Sequence, residues 1–184
     1  MAIPFQVAEV SVRSARAYDL PGLALLRESI GWGAGGLEGS FAAAAAGRQL
    51  ILLAECRGRL VGGVTVSFQG AARGSLGRGH ISDLLVAPLW RRRGIGGRLL
   101  QAAEEAIAAR GVTDCTLDVD AHNEPALRLY LANGYRRWKP AQFPWGPGYT
   151  LRKCLDASRP PWSVPPARRA TPWWRQLRWP GGTA

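Results

Sequence analysis

The sequence predicts an α/β fold, on two observations. Apolar segments with a two-residue period alternate along the chain with segments of helical period. Near the middle, a strand, a glycine-rich turn and an amphipathic helix follow one another without a break in "HISDLLVAPLWRRRGIGGRLLQAAEEAIAARG". In open α/β folds that arrangement places a ligand beyond the carboxyl end of the strand.

Each element has its own signal. "VAEVSVRSA" (residues 7–15) reads as a strand. Asp19 and Pro21 open a helix in "LPGLALLRESI", as a polar cap and an early proline do. "FAAAAAG" reads as a second short helix, stopped by glycine. "QLILLAEC" and "LVGGVTVSF" make a hairpin about "RGR". A polar loop, "AARGSLGRG", leads to the strand "HISDLLVAP", which ends at Pro88. Ile95, Leu99, Ala103 and Ile107 then recur every four residues, one face of a helix that ends near Gly111. "TDCTLDVDA" is a strand, and "NEPALRLYLANG" a helix capped by Asn123, with Pro125 in its first turn and Gly134 at its end. "YRRW" and "YTLRKCL" complete the strands.

The 184 residues suffice for one domain with its own core, placed at residues 1–155. From residue 156 the composition turns to Pro, Arg and Trp without apolar period, and that tail holds half of the eight tryptophans. Such a segment cannot build a core alone and is expected to be irregular, with contact to an anionic membrane surface as an alternative. No apolar run reaches the ~18 residues of a membrane span. The N-terminus lacks the charged and apolar regions of a signal peptide, and three dispersed cysteines (Cys56, Cys115, Cys154) do not form a disulfide framework. A cytoplasmic protein is therefore expected. The formal charge of +11 invites a nucleic-acid reading, but no recognised binding motif accompanies it, and the near-exclusive use of Arg matches the bias of an Ala-, Gly- and Pro-rich chain. Two histidines and scattered cysteines predict no metal site.

The central turn, "RRRGIGG", has the makings of an anion site. Its glycines let backbone N–H groups converge, and the helix beginning at Ile95 adds the positive end of its dipole. Two common phosphate motifs fail. A dinucleotide turn needs a third glycine where Leu99 stands, and a Walker loop needs a Gly-Lys pair that the chain lacks. A plain glycine turn is the competing reading.

The turn has a partner. "VAPLWRRRGIGGRLL" followed by "LDVDAHNEPALRLYLANGY" resembles the GCN5-related N-acetyltransferase (GNAT) family. Arg91, Gly94 and Gly96 match its Arg/Gln-x-x-Gly-x-Gly/Ala signature, and Asn123, Ala126, Tyr130, Gly134 and Tyr135 match its second motif in register. The resemblance runs from about residue 7 to 155 and implies a mixed, mostly antiparallel central sheet flanked by helices, with splayed fourth and fifth strands. It implies acetyl-CoA as donor. Arg91, Arg92, Arg93, Gly94, Ile95, Gly96 and Gly97 would wrap the pyrophosphate. Leu84, Leu85 and Val86 would pair their backbone with the pantetheine arm, and Asn123 would contact that arm.

Acetyl transfer to an amine needs a base to remove a proton, donors to polarise the carbonyl and an acid for the departing thiolate. The resemblance gives the acid role to Tyr130, with aromatic packing as its alternative. For the base, His80 and Asp83 compete on one strand; simple alternation puts them on opposite faces, so that one reaches the cleft, and a water chain is the third option. An aromatic wall of Trp32, Trp138 and Trp145, with Phe143 and Tyr149, is expected to take the acceptor by cation–π contact. The function implied is direct transfer from acetyl-CoA to a primary amine, of a small molecule or of a protein, in a ternary complex. The alternative is a catalytically silent acetyl-CoA-binding regulator or sensor. A homodimer is left open.

Overall fold

The computed structural model describes residues 10–69, 77–144 and 146–156. The first residues of the expected N-terminal strand, most of the polar loop at 71–79, Trp145 and the tail from 157 lie outside them.

Among the described residues, seven strands and four α-helices follow one another in the order the sequence predicts. They are β1 (Val10–Ser14), α1 (Leu20–Glu28), α2 (Leu37–Ala45), β2 (Gln49–Cys56), β3 (Arg59–Gln69), β4 (Arg78–Val86), α3 (Ile95–Ala108), β5 (Asp114–Asp120), α4 (Glu124–Ala132), β6 (Arg136–Phe143) and β7 (Gly146–Cys154). The strands form one sheet in the order β1-β2-β3-β4-β5-β7-β6. Every pair is antiparallel except β4 with β5.

Helices cover both faces. Ile95, Leu99, Ala103 and Ile107, the predicted stripe of α3, are all 1% exposed or less and pack with Val64, Val66, Ile81 and Leu117 of the sheet. Leu127 and Tyr130 of α4 join the same cluster. On the other face Leu23 and Leu26 of α1 and Leu37 of α2 pack on Ile51, Leu53 and Leu85. At the start of α1, Asp19 accepts hydrogen bonds from the guanidinium of Arg13 and from the Arg16 amide, which hold its carboxyl below the usual carboxylate range.

Two sequence readings change. The segment between the expected strands "YRRW" and "YTLRKCL" is largely strand: β6 runs on to Phe143 and β7 begins at Gly146, paired from Arg136↔Arg152 to Phe143↔Gly146. Pro140 is tolerated there because β6 is the edge strand, where a missing N–H breaks no inner ladder. The second change lies in β4. Thr65 faces Ser82 and Gly63 faces Leu85, so β4 spends one residue more than β3 between those pairs. This is a β-bulge, and Asp83 in it takes φ of 51°. Its effect is to reverse the pleat. Ile81 packs into the α3 side, whereas Leu85, four residues on, packs into the α1–α2 side.

Candidate functional site

β4 and β5 pair over only three residue pairs, Gly79↔Cys115, His80↔Thr116 and Ile81↔Leu117. Beyond Ile81 the two strands part. The edge of Leu84–Val86 facing β5 then carries no ladder partner, while its other edge stays bonded to β3 through Gly62↔Val86 and Gly63↔Leu85. A cavity of about 930 Å³ opens there. Its lining includes Leu84, Asn123, Ala126 and Tyr130 together with His80, Asp118 and Asp120.

The glycine turn sits at the carboxyl end of β4. After Val86 the chain makes a 3-10 turn at Pro88–Trp90, and Arg91 reaches back to donate from Nε to the Val86 carbonyl (3.1 Å). Arg92 (φ 61°) and Gly94 (φ 75°) both turn left-handed, and Gly94 is the N-cap of α3. A glycine cap leaves the first-turn N–H groups of α3 without a side-chain acceptor. Gly96 has no side chain to cover them, and Gly97 opens on free space. Uncovered first-turn N–H groups at a helix start are the kind that can take an external anion. Arg93 stacks over Trp90, 5.1 Å from the ring centroid.

Tyr130 points from α4 into the cavity and is 7% exposed. Burial pushes its hydroxyl up to about 12, so it carries its proton at any ordinary pH. Its ring also meets Tyr135 edge-on at 6.0 Å, so packing and the cavity share this side chain. Asn123 caps α4 by accepting from the Ala126 amide at 3.2 Å and lines the cavity as well.

His80 and Asp83 both line the cavity. The expectation that only one would do so fails because the bulge breaks the alternation at Asp83 itself and gives it the face of His80. Asp83 sits 3.6 Å from the guanidinium of Arg27 on α1. His80 touches two residues of β5: its Nδ1 lies 3.1 Å from Thr116 Oγ1, and its Nε2 lies 3.9 Å from Asp118 Oδ2. Burial holds the imidazole below its ordinary 6.5; Asp118 opposes that shift and Arg78 reinforces it.

Sequence reasoning does not single out Asp118, Asp120, Thr116 or Arg27. A signal for three of them is present, since Asp114, Thr116, Asp118 and Asp120 alternate in "DCTLDVD" and so share one face of β5. Asp118 accepts from Thr150 Oγ1 (2.7 Å), and Asp120 from the His122 amide (2.7 Å). The His122 side chain is largely exposed, in keeping with a turn residue.

Among the described residues the aromatic wall does not assemble. Trp32 lines the cavity, with Arg27 over its ring at 5.6 Å. Trp138 stands away from it on β6, enclosed by Arg78 (4.8 Å), Lys139 (5.0 Å) and Arg152 (5.2 Å). Tyr149 lies under Arg137 at 4.3 Å, and Trp145 is outside the described residues. The cause is the hairpin, which commits these aromatics to its own packing. Cys115 is fully buried, with its sulfur 3.2 Å from the Tyr135 hydroxyl and its thiol pushed up to about 12 by burial, which suits packing and not nucleophilic attack. Among the described residues no group of His, Cys, Asp and Glu is placed to hold a metal, and no helix is long and apolar enough to cross a membrane.

Comparison with known proteins agrees with this geometry. The model of the acetyltransferase (GNAT) family matches residues 25–135. An uncharacterized N-acetyltransferase of Bacillus subtilis, YhfO, is 39% identical over 87 residues, 47% of this chain and 58% of that protein. N-alpha-acetyltransferase 30 of Schizosaccharomyces pombe is 32% identical over 77 residues, 42% of this chain and 51% of that protein. The chain thus spans about half the length of these curated relatives. Among solved structures, Arabidopsis thaliana Naa50 bound to the bisubstrate analogue CoA-Ac-MVNAL aligns with a TM-score of 0.68 at 22% identity, over 79% of this chain and 98% of that one. The PaiA N-acetyltransferase of Thermoplasma acidophilum, in complex with coenzyme A, aligns with a TM-score of 0.65 at 20% identity, again over 79% and 98%. At that identity the structural likeness speaks to the fold.

Proposed function

Since this chain belongs to the acetyltransferase (GNAT) family, we propose that it moves the acetyl group of acetyl-CoA directly to a primary amine. The observation that carries the reading is the gap between β4 and β5, lined by a buried tyrosine and a histidine, with a glycine turn following the carboxyl end of β4. The residues present fit the donor. First-turn amides of α3, uncapped by any side chain, would hold the pyrophosphate, with Arg91, Arg92 and Arg93 around them. The unpaired edge of Leu84–Val86 would bond the amide-bearing pantetheine arm as a strand bonds its neighbour, and Asn123 would flank it. Bound acetyl-CoA supplies a thioester whose C–S bond breaks as the amide C–N bond forms.

The chain's own groups then handle two protons. A primary amine arrives as an ammonium ion at neutral pH. Among the described residues, Asp83, Asp118 and Asp120 line the cavity beside a single arginine, Arg27, in a chain whose net charge is +11, so the cavity is locally acidic and favours that cation. His80 Nε2 takes the first proton and returns it to solvent. Tyr130 gives its hydroxyl proton to the departing sulfur and regains one from the nitrogen, which leaves a neutral amide and a thiol. Trp32 remains the aromatic that could stack on the acceptor.

The pH profile tests the base. Burial lowers the histidine pKa, so the neutral, proton-accepting form already dominates at pH 6.5. The acid limb of kcat is expected below pH 6.5, and a limb centred above 7 would move the role to another group. The acceptor is open to direct measurement by thiol release from acetyl-CoA across a panel of small amines and peptide N-termini. At least one amine is expected to give turnover. Tight CoA binding with no amine acetylated would overturn the reading in favour of a silent binding module.

A further inference from the structure

We propose that Thr116 is a positioning residue that reserves Nε2 of His80 for the proton of the incoming amine. The inference rests on the reading of His80 as the base and adds the device that makes it one. Thr116 is 3% exposed, and its hydroxyl oxygen lies 3.1 Å from His80 Nδ1 and 3.4 Å from the Gly79 carbonyl oxygen. A hydroxyl has one proton to give. A carbonyl can only accept, so the proton goes to Gly79, and the hydroxyl oxygen accepts from an Nδ1–H. The opposite arrangement, with Thr116 donating to Nδ1, leaves two proton-free oxygens facing each other at 3.4 Å in a buried setting. The chain His80 Nδ1–H to Thr116 to Gly79 therefore satisfies every member, and it leaves a lone pair on Nε2.

That outcome runs against the nearest charge. Asp118 Oδ2, 3.9 Å from Nε2, would by itself draw a proton onto Nε2, and a ring held that way is a donor where a base is needed. Thr116 opposes this pull from the other side of the ring. It also keeps Nδ1 protonated in the imidazolium form, so Nε2 alone gains and loses the proton. The parallel register sets the contact, because His80↔Thr116 is the middle of the three pairs before the strands part. Other charged or titratable groups sharing the cavity are Asp83 on β4, Arg27 on α1, Asp120 and His122 at the end of β5 and just after it, and Tyr130 on α4; Arg78, two residues before His80, is held by Asp114 at 2.8 Å.

The ring can be read directly, because the chain has only two histidines and His122→Gln identifies the other. Nitrogen-15 correlation spectra of the imidazoles in the full chain, above the titration of His80, are expected to show Nδ1 protonated and Nε2 bare. Thr116→Val, similar in shape but without the hydroxyl, should move the proton toward Nε2 and lower kcat about tenfold or more, with CoA affinity retained. Thr116→Ser should restore both. A wild-type spectrum with Nε2 protonated overturns the proposal, and so does a folded Thr116→Val protein with unchanged tautomer and turnover. If Thr116→Val does not fold, the wild-type spectrum and the Thr116→Ser variant still decide. Absence of acetyl transfer by the wild-type chain would sink the acetyltransferase reading instead, while the spectrum still reports the tautomer.

Discussion

Gly96→Glu is expected to abolish CoA binding while leaving the fold in place. Gly96 is the second residue of α3, where an acidic side chain suits the helix dipole, so the helix itself loses nothing. A Cβ there meets Leu129 Cδ2 at 3.3 Å, tight but against the flexible end of a side chain. The carboxylate would stand beside the first-turn amides proposed to hold the pyrophosphate. Two unit charges about 4 Å apart near a protein surface repel by about 4 kcal/mol, or roughly a thousandfold in Kd. The check is CoA affinity by calorimetry beside a thermal melt. Affinity within a few-fold of wild type would remove the turn from the donor site.

Tyr130→Phe should lower kcat about a hundredfold and change CoA affinity by less than about threefold. Phenylalanine keeps the edge-on contact with Tyr135 and the bulk that fills the α4 side of the core, so the fold should tolerate it. What it removes is the one proton that Tyr130 carries into the cavity, held there by a pKa pushed up to about 12. Pre-steady-state thiol release, compared with the wild type, separates loss of chemistry from loss of binding. Equal turnover would reduce Tyr130 to a packing residue.

Much of this site is legible in the amino-acid sequence. The turn at Arg91–Gly97 and the helix from Asn123 are written in local chemistry: glycines where φ is positive, an asparagine where a cap is needed. Local rules read such positions well. What depends on register is not written there. His80 and Asp83 look like rivals when alternation is counted through a strand that breaks it at Asp83. Trp138 looks like a pocket residue because "WKPAQFPWGPGY" carries Pro and Gly, the usual marks of a loop, yet the hairpin places Pro140 on its edge strand β6 and the glycines Gly146 and Gly148 in β7. Asp118 and Thr116 do not stand out because their importance lies in which neighbour β5 meets, and a parallel pairing of three residues leaves no trace in composition.

The extra residue in β4 ties the integrity of the molecule to its chemistry. Because the pleat reverses there, Ile81 and Leu85 anchor the two opposite hydrophobic layers, and His80 and Asp83 share one wall. A one-residue deletion that regularised the strand would turn Leu84, Leu85 and Val86 to the wrong layers in the same stroke that separated the two polar side chains. Mending the irregularity would therefore disturb both hydrophobic layers along with the cavity wall that carries His80 and Asp83, so a single deletion there is expected to cost fold and site together.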